Sequence, residues 1–407
     1  MNNLRTTSSL LLLLALSWTL AIHAQTKSRR SPAQTKTNTQ ANTEFEKSVK
    51  AADEARIARR LDEAIEAYKN AVRIRPEWAD GWWYLGAISY EKDLYPEARD
   101  FFNKLVALEP GRGPAWAMLG LCQFKTHEYD RSLASLERSY SLGFNANKEL
   151  LSVVIYHSTL LYVRLGQFEI AFDALKRLER YDNQKIIEAF GLIMLRMPVL
   201  PNEIPADKRE EVLLAGRAGA SMAAVQIDAS RSAFDELLKR YPDDPNVHYS
   251  FGVFMLPQDA EIALKEFRQA QTLDPNHQPA LVQLAFEYLK RREYDTALPL
   301  AEKSVALAPQ MYAARNVFGR VLLEVGQVER AIHELEEGIR LAPASPEMHF
   351  ALARAYTRAG RKGEADRENE IFKKLQEKYN QQADAKQADG VSGPATAKPT
   401  PENENQH

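Results

Sequence analysis

Small residues return through this chain at a fixed interval. Ala64 and Ala98 are 34 residues apart, and Ala263, Ala297, Ala331 and Ala365 keep the same spacing. Prolines follow it too: Pro76 to Pro110, and Pro275 to Pro309 to Pro343, are 34 apart, while Pro242 to Pro275 is 33. A period of this size means one supersecondary unit, copied and stacked. Each copy buries its apolar side against a neighbour, so 407 residues need not share one compact core. Arrays of this kind work through a surface rather than a reaction centre.

Within one period, Ala64, Tyr68 and Ala71 fall at i, i+4 and i+7, one stripe of a helix, and Pro76 closes it. The next copy opens with Trp82, Leu85 and Gly86 and continues with Ala98, Phe102, Leu105 and Pro110. Trp116, Leu119 and Gly120 repeat that opening 34 residues on. Each copy therefore predicts two antiparallel helices joined by a short turn. Gly86, Gly120, Ala64 and Ala98 let the helices approach, and Trp82, Trp116, Tyr68 and Phe102 fill the space between neighbours.

The pattern resembles the tetratricopeptide repeat, W-x2-L-G-x2-Y followed by A-x3-F and then P. Trp82-x2-Leu85-Gly86 and Trp116-x2-Leu119-Gly120 match the first block, although Ser89 and Gln123 stand where its aromatic is expected. Ala64-x3-Tyr68, Ala98-x3-Phe102 and Ala263-x3-Phe267 match the second. Later copies keep the skeleton as Phe251-Gly252, Leu284-Ala285 with Tyr288, Phe318-Gly319, and Leu352-Ala353 with Tyr356. The resemblance implies an all-α fold, a right-handed α-solenoid of antiparallel helix pairs. It also implies that the first helix of each pair lines a concave surface that binds a protein or peptide. Carried over in phase, that surface presents Asn316, Arg320, Phe350, Arg354 and Arg358 in the last copies. The arginines suit a partner carboxylate. In the early copies it presents Trp83, Ala87, Tyr90, Leu121 and Phe124, an apolar groove for a helix or an extended peptide. These aromatics also suit a core, and for Phe124 the two readings stay open. The Lys-Asn-Asn-Lys-Arg set of the family's carboxylate-clamp subgroup is not present in phase.

The ends differ from the repeats. Residues 1–24 carry one charge, Arg5, then an apolar run from Leu10 to Ile22, then Ala24 before Gln25. This order is that of a secretory signal peptide cleaved after Ala24. It implies a periplasmic or secreted bacterial protein; membrane contact follows only if the segment is retained. The run is short for a bilayer span, which needs about 20 residues. Residues 25–42 are polar and read as an unstructured linker. Residues 43–180 hold the N-terminal repeats. Residues 181–210 fit no copy, with an apolar helix from Ile186 to Met197 followed by Pro198, Pro201 and Pro205 in an extended segment. That segment reads as an eroded repeat with an insertion, a hinge or a partner-facing loop. Residues 211–379 hold the C-terminal repeats and a polar capping helix, and 380–407 an unstructured tail.

Nothing in the sequence points to catalysis. The eight histidines form no helical zinc motif, the lone Cys122 permits neither a disulfide nor a thiolate cage, and no nucleophile elbow or phosphate loop occurs. Asp243-Asp244 and Glu336-Glu337 read as solvated carboxylates. The net charge of −2 gives no case for nucleic acid. The expectation is a non-enzymatic scaffold with no cofactor or metal. A membrane-tethered assembly or secretion factor, and an accessory subunit of an envelope enzyme, are the competing readings.

Overall fold

The computed structural model describes residues 32–144 and 147–388, and every regular element among them is helical. The expected signal segment, 1–24, lies outside the described residues, as do residues 25–31 and 389–407. The chain divides into two compact units, Met1–Ala233 and Phe234–His407. The division falls inside the helix Ile227–Arg240.

The first unit contains α1 (Pro32–Ile57), α2 (Leu61–Ile74), α3 (Ala79–Glu91), α4 (Tyr95–Leu108), α5 (Gly113–Lys125), α6 (Tyr129–Leu142), α7 (Lys148–Arg164), α8 (Phe168–Leu175), α9 (Gln184–Met194) and α10 (Arg209–Ala223). Helix α11 (Ile227–Arg240) carries the division. The second unit contains α12 (Pro245–Met255), α13 (Ala260–Leu273), α14 (Gln278–Lys290), α15 (Tyr294–Leu307), α16 (Tyr312–Glu324), α17 (Val328–Leu341), α18 (Pro346–Arg358) and α19 (Lys362–Ala388). In each unit every helix packs on the next, as a solenoid of hairpins requires. The crossing inside a hairpin is a small residue against a large one. A methyl group at Gly86 would lie 2.7 Å from the Phe102 ring, and Phe102 is wholly buried.

The turn between the two helices of a hairpin is nearly invariant. After α3, Asp93 takes a positive φ of 60°, and the Leu94 amide donates to the Ser89 carbonyl at 2.9 Å. This six-to-one bond is the Schellman cap. The same bond closes α1, α5, α7, α9, α10, α14, α16 and α18, with the left-handed residue at Arg59, His127, Gly166, Arg196, Val225, Arg292, Gly326 and Gly360. Helices α9 and α10 therefore both end as first helices do. Where the partner of α9 would stand, the chain runs through residues 195–208 with two short 3-10 turns, Pro201–Glu203 and Ala206–Lys208. The prolines are not in one extended run as expected. Leu200 and Ile204 are buried, and Glu203 accepts from the Leu200 amide at 2.8 Å and pairs with Arg164 at 3.0 Å. A segment held this way is not a free loop. Helix α9 packs directly on α10, because a side chain at Gly191 would overlap the Val212 carbonyl and one at Gly216 the Ile187 carbonyl.

Two further expectations change. The linker expected over 25–42 is helical from Pro32 onward. Proline suits the first helical position, and the run continues into the apolar stripe of α1. Asn42 accepts from Arg75 of the following turn at 3.3 Å. The tail expected from residue 380 is still helix as far as Ala388.

Candidate functional site

Within each unit the first helices touch one another: α3 to α5, α5 to α7 and α7 to α9 in one, α14 to α16 and α16 to α18 in the other. Second helices of neighbouring hairpins make no comparable contact among the described residues. Each row therefore curves locally with its first helices on the inner side. Side chains along one stripe of these helices form the inner face.

In the first unit that face is aromatic. Trp83 is half-buried, its ring 5.8 Å from Phe102 and covered by the Arg112 guanidinium at 4.7 Å. Tyr90 lies 5.3 Å from Tyr95, and burial pushes its hydroxyl well above the ordinary tyrosine range. Phe124 packs edge-on against Tyr129 at 5.7 Å and His157 at 4.9 Å. Leu121 does not belong with them. It is 2% exposed and sits in the core with Met118 and Leu136, because its position on α5 turns toward the following hairpin. Burial, with Lys125 and Lys185 nearby, holds the His157 imidazole down to about 4 despite its bond to the Val153 carbonyl.

In the second unit the face is cationic. Arg320 and Lys290 lie over the two-sided ring of Phe286, at 5.4 and 5.3 Å from its centroid. Arg354 and Arg358 converge on one carboxylate, Glu324, at 3.2 and 3.1 Å. Arg358 also donates to the Leu323 carbonyl at 2.5 Å. Phe350 is 46% exposed and leans on Phe372 at 5.3 Å. Asn316 lines a cleft of about 490 Å³ with Tyr312, Val317, Pro343 and Glu347. Its Oδ1 is buried and has no hydrogen-bond partner. The structure thus brings Arg354 and Arg358 together and leaves Asn316 and Phe350 on the same two helices.

Sequence reasoning missed a device that repeats along the array. Six residues after the helix-ending proline, a side-chain nitrogen meets that proline's carbonyl. Trp82 Nε1 donates to Pro76 O at 2.7 Å and Trp116 Nε1 to Pro110 O at 3.0 Å. Arg315 Nε donates to Pro309 O at 2.7 Å, while His248 and His349 reach Pro242 O and Pro343 O at 2.8 and 3.1 Å. In the second unit the other nitrogen of each group binds a glutamate of the partner helix: His248 to Glu266 at 2.6 Å, Arg315 to Glu334 at 2.5 Å, His349 to Glu368 at 2.6 Å. The signal was present as a donor at a constant distance from proline, hidden by three unlike side chains. Cys122 is wholly buried, and burial pushes its thiol far up, as inert core sulfur requires. Among the described residues no cluster of ligands could hold a metal, and no helix is long and apolar enough to cross a membrane.

A sequence profile of the tetratricopeptide repeat matches residues 49–114 and 316–368, which are hairpins in the structure. Those two stretches carry tetratricopeptide repeats. Among curated proteins of similar sequence, a tetratricopeptide-repeat protein of Methanocaldococcus jannaschii is 22% identical over 79% of this chain and 58% of its own length. The human protein O-mannosyl-transferase TMTC3 is 21% identical over 63% of this chain. The match spans only 29% of that transferase. Among solved structures, MamA from Desulfovibrio magneticus RS-1 is 22% identical, covering 42% of this chain and 97% of its own, with a TM-score of 0.38.

Proposed function

We propose that this tetratricopeptide-repeat chain is a non-enzymatic scaffold that holds a protein or peptide on its rows of first helices. One observation carries the reading: side chains along one stripe of the first helices, aromatic in one unit and cationic in the other, line the inner side of each row. That arrangement suits an extended or helical segment of a partner and offers no nucleophile with a base. The transferase relative does not extend the reading to catalysis, since the shared part is a minor share of that protein.

We place the work of the scaffold in the bacterial envelope, supported by the apolar run Leu10–Ile22 and the small residue Ala24. Two measurements test this. Intact mass of the protein recovered from cells should correspond to a start at Gln25; a start at Met1 would instead favour a tethered factor. Crosslinking followed by mass spectrometry should map partner peptides onto α3, α5, α16 and α18. Crosslinks confined to the second helices would overturn the assignment of the surface.

A further inference from the structure

The inner face of the second unit already holds a carboxylate. Glu324 receives one guanidinium on each oxygen, Arg354 on Oε1 at 3.2 Å and Arg358 on Oε2 at 3.1 Å. Both distances exceed the 2.7–2.9 Å of a tight charged pair. The arginine side chains are about two-fifths exposed, 38% and 41%. Exposed pairs of this kind contribute little net stability. The three groups carry a net positive charge, so the carboxylate of Glu324 does not saturate the site.

Two turns earlier on the same helix lies the cleft beside Asn316 and Tyr312. Its apolar part is formed by Val317, Ala342 and Pro343. Asn316 borders this cleft, with its Oδ1 turned into the protein and buried. Glu347 borders the cleft, so an acidic group is disfavoured at this end and favoured at the arginines. Asn316 and Glu324 are eight positions apart, about 12 Å along a helix. An extended chain covers that distance in about four residues.

We propose that Glu324 is an internal stand-in for the partner, and that the partner is an extended peptide carrying an acidic residue about four positions from an apolar one. The apolar residue enters the cleft beside Asn316, and the carboxylate of the acidic residue displaces Glu324 from Arg354 and Arg358. Glu324 thereby screens the site against weak acidic competitors. This rests on the reading of the inner face as a binding surface and adds its ligand and its gate.

The probe is a fluorescein-labelled hexapeptide of leucine, three alanines, glutamate and alanine, with a control in which lysine replaces glutamate. Anisotropy is read at low salt on the full chain. Glu324→Gln should bind the acidic probe about tenfold more tightly than the wild type, as removal of an internal competitor predicts. Arg354→Glu combined with Arg358→Glu should abolish that binding, and the lysine probe should bind none of the proteins. Equal or weaker binding by Glu324→Gln overturns the proposal, as does an equal gain for the lysine probe or no binding at all. Melting curves confirm that the variants are folded. Partner crosslinks on α16 and α18 that survive alongside such a failure would leave the scaffold reading standing and remove only the gate.

Discussion

Some side chains do more for stability than the space-filling role that the repeat pattern assigns them. Trp82 reads as a space-filler, yet its indole nitrogen satisfies the Pro76 carbonyl at a helix end where no backbone donor follows. Trp82→Phe keeps most of the ring's packing against Phe101 and removes the bond, so it should cost about 1 kcal/mol in urea unfolding. An unchanged midpoint would mean that water replaces the indole at no cost. Val225 shows the opposite case. It sits at φ 57° in a turn that Gly166, Gly326 and Gly360 fill without strain. A β-branched residue in that region is strained, and Val225 is 58% exposed, so little packing compensates. Val225→Gly should therefore raise stability by about 0.5–1 kcal/mol, the relief of strain exceeding the entropy that glycine adds to the unfolded chain. A lower midpoint for the variant would refute the strain argument.

At the scale of helices, the outer copies were legible because prolines and small residues there keep the period. The centre was not, and the reason is local. Helix α6 ends at Gly143 with φ 84° instead of at a proline, α8 is only 8 residues long, and α9 has lost its partner helix. The left-handed turn survives there, at Gly166, Arg196 and Val225, but the 34-residue spacing does not, and neither arginine nor valine announces a left-handed residue. Leu121 was misjudged for a related reason: helical spacing gives the face of a helix but not where the next hairpin begins to cover it. The contact between α9 and α10 left a trace in Gly191 and Gly216, which sequence reading passed over. Gly191→Ala forces its methyl against the Val212 carbonyl, backbone that cannot swing aside. The expected loss is about 2–3 kcal/mol. Gly111→Ala is the control, since nothing lies within 4 Å of the added atom. Equal effects of the two substitutions would show that α9 and α10 can part without cost.

At the scale of the whole chain, two histidines should make the two units respond oppositely to pH. His157 is held down to about 4 by burial, so the folded ring stays neutral while an unfolded one protonates near its ordinary value of about 6.5. Stability from this group is complete above about pH 6.5 and is lost as pH falls toward 4. With the ring's partial exposure allowed for, the loss in the first unit is about 2–3 kcal/mol. His248 behaves in reverse. Burial opposes its charge, but the Glu266 carboxylate at 2.6 Å and the Pro242 carbonyl at 2.8 Å outweigh that and raise it. Both ring nitrogens face oxygens, so both must donate. Its contribution is complete below about pH 6.5 and is lost as pH rises through the raised value. The carboxylates held below their ordinary range, Glu128 and Glu337 among them, matter only below about pH 4.5 and leave the window between 7.5 and 5 to the histidines. The chain separates the signals itself, because its five tryptophans, at 18, 78, 82, 83 and 116, all precede Phe234. From pH 7.5 to 5, the urea midpoint seen by tryptophan emission should fall. The part of the far-ultraviolet helical signal that unfolds without a tryptophan change should become more resistant. His157→Phe should flatten the first trend and His248→Gln the second. If both probes shift together in the wild type and neither substitution separates them, the two units unfold as one and these histidines do not govern the response.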